Sequence, residues 1–175
     1  MPGHSCACVI YLAGTAGDVW TALTDPQRSA AYWAHYNVSD WRPGSAWEHR
    51  RTDGSGIADI AGTVVESSPP ERLVLTWAHP GDGTPVAGAG TDTGTGPAPG
   101  GQRPAGHPSC VSIGIEPYRD IVRLSVTHGD LASEAERDAL AAGWAAVLSN
   151  LKSFLETGRA LPTPPWEMLP GFVRR

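Results

Sequence analysis

The chain has 175 residues, with 18 acidic against 13 basic side chains and a formal charge of −5. That length allows one domain with a substantial core, and the acidic balance argues against a general nucleic-acid binder, which would be basic. No apolar run approaches the roughly 20 residues that span a bilayer, and the apolar segment Cys6 to Ala13 lacks the basic residues that precede a signal sequence, so a cytoplasmic protein with reduced thiols is expected.

Cys6 to Ala13 is the first predicted strand. Alternation puts Cys6, Cys8, Ile10 and Leu12 on one face, so the H-x-C-x-C spacing of His4, Cys6 and Cys8 reads as small apolar side chains. A tetrahedral zinc site shows a second ligand pair, and Cys110 stands alone; no metal and no cofactor is expected. Thr15 and Asp18 then open a short helix carrying Val19, Trp20 and Leu23. Asp25-Pro26 opens another, with Asp as cap and Pro at the first helical position. It carries Tyr32 and Trp33 and ends near Ala34.

A run of strands follows. Val38 to Trp41 ends at the turn Arg42-Pro43-Gly44, and Ala46 to Arg51 alternates before the Asp53-Gly54 turn. Ile57 to Ser67 is longer, and Gly62 within it marks a bulge or bend. Ser68-Pro69-Pro70-Glu71 makes a corner before Arg72 to His79, where Leu73, Leu75 and Trp77 alternate with Val74, Thr76 and Ala78. Glu48 and Glu66 are placed to pair with Arg50 or Arg72 across strands, as solvated salt bridges.

Residues 81–107 hold nine Gly and four Pro. They carry too little apolar surface to offset ordering, which predicts a mobile insertion. Gly88, Gly90, Gly94 and Gly96 do not make a phosphate loop, since no strand leads in, no helix leaves and the Walker lysine is missing. Strand pattern resumes over Ser109 to Glu116, turns at Tyr118-Arg119-Asp120, and ends with Ile121 to His128 before Gly129-Asp130.

The longest regular stretch is the predicted helix Ser133 to Thr157. Ser133 and Glu136 form a capping box, Gly158 is the stop, and Leu140, Trp144, Val147, Leu148, Leu151, Phe154 and Leu155 make one stripe. The proline-rich tail, 158–175, contains Trp166, Met168, Leu169 and Phe172. These residues are too apolar for an idle terminus; they cover the open end of a cavity or dock on a second subunit, which would make a homodimer. The element order lacks βαβ alternation and so predicts an α+β domain over residues 1–157. Its curved antiparallel sheet, of about six to seven strands, wraps a long C-terminal helix.

Several phrases resemble one family. Val19-Trp20-Thr21-Ala22-Leu23-Thr24-Asp25-Pro26 is similar to its first-helix signature, and Trp41-Arg42-Pro43-Gly44-Ser45 to its R-x-G-G turn, with Ser45 in place of the second Gly. Gly62-Thr63-Val64-Val65-Glu66, Pro69-Pro70-Glu71-Arg72-Leu73 and Thr76-Trp77 resemble its central hairpin. Leu124-Ser125-Val126-Thr127-His128 and Gly143-Trp144 resemble its end. In this order, across about residues 6 to 157, they resemble the SRPBCC (START-like, helix-grip) superfamily, in the branch related to the activator of Hsp90 ATPase. The resemblance implies a cavity between sheet and helix. Members bind hydrophobic small molecules, act as cyclases or aromatases on polyketides, or serve as co-chaperones, so the fold leaves function open.

Alternation supplies the candidate site. If Trp47 faces in, His49 and Arg51 follow; Leu75 and Trp77 carry His79 to the rim; Val126 carries His128 inward; Trp33, Leu140 and Trp144 add helical walls. Such a lining suits a hydrophobic small molecule, although tryptophans at core spacing also serve as plain core. His49 and His128 are the acid–base candidates, each with the alternative of a structural histidine bonded to backbone or water. No G-x-S-x-G and no H-E-x-x-H occurs. In the long helix, Val147, Leu151 and Leu155 are expected to seal the sheet, while Leu140 and Trp144 border the cavity. Binding without chemistry is the first expectation, a cyclase or aromatase the second, and a regulator of an ATPase the third.

Overall fold

The computed structural model of the chain describes residues 3–80 and 108–170. The predicted insertion, 81–107, and Phe172 of the tail lie outside the described residues. The elements run β1 (His4–Ala13), α1 (Ala16–Thr24), α2 (Pro26–Trp33), β2 (His35–Ser39), β3 (Ala46–Arg51), β4 (Ala58–Ser68), β5 (Arg72–Trp77), β6 (Ser109–Tyr118), β7 (Ile121–Leu131) and α3 (Glu134–Thr157). A single 3-10 turn, Pro165–Met168, follows. Among the described residues seven strands join one antiparallel sheet in the order β1-β7-β6-β5-β4-β3-β2. The sheet is curved, and with the long C-terminal helix it makes the α+β helix-grip arrangement that the sequence predicts.

Local chemistry sets the helix ends. Thr15 and Asp18 close a capping box on α1, and the Asp25 carboxylate accepts from the Arg28 N–H at the start of α2. On α3 the Ser133 hydroxyl accepts from Glu136 N–H, but the Glu136 carboxylate reaches back to Ala132 N–H, one residue before the expected cap. Gly158, at φ 77°, ends the helix.

Three expectations need correction. The second strand begins at His35 rather than Val38 and stops at Ser39. Trp41 lies outside it at φ 58°, and its indole N–H donates to the Thr24 carbonyl at 2.9 Å. The last strand passes through Gly129 to the buried Leu131, which pairs with His4. Gly62 is not the bulge of β4. The register shifts fall between Val64 and Glu66 against β5 and between Ile60 and Ala58 against β3, whereas Gly62 sits under the Trp47 side chain. A Cβ there would stand 1.9 Å from the Thr76 carbonyl oxygen and 2.7 Å from Trp47 Nε1.

β1 is an edge strand, and α3 covers part of its edge. Lys152 Nζ donates to the Tyr11 carbonyl at 2.7 Å, and Glu156 accepts from Ala13 N–H at 2.8 Å. Two backbone groups that would face an eighth strand are thus met by side chains. The core runs from Leu12 and Val19 through Val64, Leu124 and Val126 to Leu148 and Leu151. Arg72–Glu66 forms an ion pair across β4 and β5, while Arg50–Glu48 pairs within β3 and not across strands.

The tail turns back on its own chain. Buried Asn150 accepts from Leu161 N–H at 2.7 Å and donates to the Tyr32 carbonyl, so one α3 side chain ties both α2 and the tail. Trp166 is half-buried against the core, while Met168 is 87% exposed.

Candidate functional site

The aromatic residues converge between β3, β5, α2 and α3. Trp77 is their hub. Its ring centroid lies 5.4 Å from Trp47, 5.6 Å from Trp144 and 6.4 Å from Trp33. Strand alternation turns Trp47 and Trp77 to the same face of the sheet, and the cross-strand bond from Trp47 Nε1 to the Thr76 carbonyl, 2.9 Å, fixes the first of them. Trp33 comes from the last residue of α2 and meets Trp144 of α3 edge-on at 5.5 Å.

These rings surround a void of about 10 Å³, room for about one water molecule. Five tryptophans line it (Trp33, Trp41, Trp47, Trp77 and Trp144), together with aliphatic side chains of β5 and β6, among them Leu75. Asn37 is its polar member. Of the residues named from sequence, Trp33, Trp47, Leu75, Trp77 and Trp144 thus meet at one place. Val126 is core, at 1% exposure, and Leu140 is half-buried on the flank; neither lines the void. Val147 and Leu151 are buried on the sheet side of α3, and Leu155 is half-buried.

His128 is fully enclosed and held from both sides. The Trp144 indole can only donate, so at 3.2 Å it makes His128 Nδ1 the acceptor. Nε2 therefore carries the proton and donates to Ser109 Oγ at 2.8 Å, and Ser109 donates in turn to the Trp77 carbonyl. This relay sets the His128 tautomer and ties the ring to the sheet on one side and to α3 on the other.

His49 is different. The Asn37 amide donates to the Leu23 carbonyl at 2.8 Å, which turns its oxygen toward His49 Nδ1 at 2.7 Å. That oxygen needs a donor, so Nδ1 carries the proton and Nε2 keeps its lone pair. His49 Nε2 has no hydrogen-bond partner among the described residues. Burial, then the neighbouring His35, push the imidazole well below its ordinary pKa, against a smaller opposing effect of Asp59. His49 packs under Trp33, 4.6 Å between centroids, and stacks on His35 at 4.1 Å with planes 6° apart.

Behind this stack lies a charged cluster. Asp59 accepts from Arg51 at 2.6 Å and from His35 Nε2 at 2.9 Å, while His35 Nδ1 faces the Trp33 carbonyl at 3.3 Å. Burial by itself raises the Asp59 carboxyl; the hydrogen bonds from Arg51 and His35 outweigh it and hold the pKa at about 2. Arg51 is thus engaged with Asp59, and His79 reaches the Asp59 carbonyl at 3.2 Å; neither lines the void. Burial pushes the thiols of Cys6, Cys8 and Cys110 up, away from the reactive thiolate. Among the described residues no three His, Cys, Asp or Glu side chains gather as a metal site, and no helix is long and apolar enough to cross a membrane.

Asn37, Trp41, His35, Asp59 and Ser109 are not among the candidate site residues that the sequence points to. Asn37 and His35 occupy the strand misplaced by apolar alternation, because its inward residues are polar. The pairing Asn37↔His49 is a matter of register between β2 and β3, which alternation alone does not supply.

The family model described as Activator of Hsp90 ATPase homolog 1-like protein matches residues 13–156. A search of curated proteins returns no match. Among solved structures the chain is similar to CalU16 from Micromonospora echinospora, at TM-score 0.64 and 19% identity, over 91% of this chain and 78% of that one. It is similar to the Aha1 dimer from Colwellia psychrerythraea, at TM-score 0.64 and 18% identity, over 90% and 99% of the two chains. The Hsp90 activator PFC0360w from Plasmodium falciparum gives TM-score 0.62 and 15% identity, over 86% and 95%. With most of its length matched by that family model and its helix-grip fold shared with these structures, the chain belongs to the Activator of Hsp90 ATPase homolog 1-like family, within the SRPBCC superfamily.

Proposed function

We propose that this protein binds a hydrophobic, flat small molecule among the tryptophans between the sheet and α3, without chemistry. The observation that supports this reading is the convergence of five tryptophans on one void instead of on a filled core. At about 10 Å³ the void admits no such ligand as it stands. Trp33 and Trp41 are only half-buried, so enlargement of the void would come from these two walls, and for Trp41 it would break the bond to the Thr24 carbonyl. A large aromatic surface would then replace ring–ring contacts with ring–ligand contacts of similar strength. Tryptophan-emission titration with flat aromatic hydrocarbons, read beside native mass spectrometry, tests the idea. Saturable quenching, lost in Trp77→Leu, is expected; a flat titration up to the solubility limit would count against it.

A second reading is regulation of an ATPase. It is favoured by family membership and by the similarity to an Hsp90 activator. Stimulation of an Hsp90-type ATPase by the purified chain is its test, and no change in turnover at saturating chain would end it. An enzyme of cyclase type would have to rely on His49, because both ring nitrogens of His128 are engaged. Unchanged product formation in His49→Phe would exclude that role.

A further inference from the structure

β1 is latched to α3 only at its far end. There Lys152 and Glu156 hold the Tyr11 carbonyl and the Ala13 N–H, which point away from β7. In an antiparallel ladder the N–H and C=O of one residue point the same way, and the direction alternates along the strand. Ser5, Ala7 and Val9 therefore present theirs to the same edge. The slip in register between His4 and Cys6 leaves this alternation intact, because its extra residue lies on β7, where Gly129 and Asp130 face Ser5. No hydrogen bond meets these edge groups among the described residues. Residues 5–13 also lack charge and proline, the means by which edge strands are ordinarily kept apart. Val9 and Tyr11 are 42% and 57% exposed on the outer face. Cys6, Cys8 and Ile10 point inward yet are only half-buried, whereas Leu12 is closed off, so α3 leaves this half of the edge open. In line with Lys152 at helical spacing, α3 carries the small Ala141, Ala145 and Ser149, which gives a neighbour room on that side of the sheet.

We propose that this edge pairs with itself. A second copy lays its residues 5–9 antiparallel against those of the first, across a two-fold axis at Ala7, and the two sheets continue as one. The latch sets the register. Moving the axis toward Val9 would bring Tyr11 into the ladder, and its carbonyl is already held by Lys152. Centred on Ala7, the pairing uses only unmet groups: Ser5 with the partner's Val9, Ala7 with the partner's Ala7, and Val9 with the partner's Ser5, about six backbone hydrogen bonds in all. A methyl group sits on the axis and no like charges meet. Cys6 stands opposite the partner's Cys8 in a non-hydrogen-bonded pair, with Cβ atoms about 4.5–5.5 Å apart. A foreign strand would find the same backbone groups; the self-complementarity about Ala7 favours a second copy.

The test is sedimentation of the reduced full chain over a concentration series, beside amide exchange. The mass is expected to rise from 18.4 kDa toward twice that value. The Ala7 and Val9 amides should slow about tenfold or more as the dimer fills, since only a second copy protects them. Ala7→Lys, which sets two ammonium groups on the axis, should hold the mass at one chain with an unchanged far-UV spectrum. Register is read by oxidation with copper phenanthroline and air, in chains that also carry Cys110→Ser. Cys6→Ser and Cys8→Ser should each stay uncrosslinked alone and crosslink when mixed, because each then supplies the thiol that the other lacks. A mass fixed at one chain throughout would overturn the proposal and leave the edge to a foreign strand. Association that Ala7→Lys leaves intact would place the contact elsewhere and overturn it too. Crosslinking of Cys6→Ser alone would overturn the register at Ala7. If Ala7→Lys does not fold, exchange and crosslinking still decide.

Discussion

Gly62→Ala is the substitution that most directly probes how the tryptophan cluster is built. Gly62 pairs with Trp47 across β3 and β4, and the indole lies over it to reach the Thr76 carbonyl. An alanine Cβ would stand 1.9 Å from that oxygen and 2.7 Å from Trp47 Nε1. Rigid backbone is on one side, so either the strands part or Trp47 leaves its place. Overpacking of this kind costs about 1–3 kcal/mol. Breaking the indole bond and leaving its N–H inside adds about 1 kcal/mol. The sum, about 3 kcal/mol, corresponds to a fall of roughly 6–12 °C in Tm for a chain of this size. Urea titration followed by far-UV circular dichroism measures the first, and the near-UV tryptophan band reports the second-order consequence, loss of the ordered indole environment. A loss below about 1 kcal/mol with an unchanged near-UV band would refute the claim that Gly62 is required by the crossing of Trp47.

Three further outcomes follow from the same geometry. Gly143→Ala, in the middle of α3 where a new Cβ meets nothing within 4 Å, should stabilise the protein by about 0.5–1 kcal/mol in the same urea titration. Asp59→Asn should cost about 1 kcal/mol near neutrality, a figure discounted because the carboxylate is 36% exposed. Since the folded pKa is depressed to about 2 from 3.8, the wild-type advantage is complete above pH 4 and fades as pH falls toward 2, so the stability curves of wild type and variant should converge across that window. Asn150→Ala should cost about 2 kcal/mol by leaving the Tyr32 carbonyl and Leu161 N–H without their partner, and hydrogen exchange at Leu161 should accelerate while β6 and β7 stay protected.

The strands with alternating apolar residues were legible from sequence because one face of each is buried. β5 and β6 show Leu73-Leu75-Trp77 and Val111-Ile113-Ile115, and their boundaries fall close to expectation. β2 was not, because its alternating residues His35, Asn37 and Ser39 are polar; their burial is made tolerable by bonds to partners far along the chain, such as Leu23 and Asp59. The two histidines show the same boundary. Alternation turns both inward, and both are buried. Their protonation patterns depend on which donor or acceptor stands opposite, Trp144 for one and Asn37 for the other. Those neighbours come from helix packing and strand register, which period-two patterns do not contain.

Lys152 carries the only side-chain amine in the sequence, and it is spent on the β1 edge, between Glu156 and the Tyr11 carbonyl. Amine-directed chemistry therefore has a single internal address in this molecule, and that address is a latch. A reagent that acylates Lys152 leaves one uncharged N–H where the ammonium offered three charged ones, so Tyr11 and Glu156 compete for a single weaker donor and Glu156 loses its counter-ion, at the point where α3 passes the strand edge. The Lys152 side chain is 42% exposed, so the reagent reaches it without any opening of the fold, and the protection of the β1 edge before and after labelling reads what this one side chain contributes there.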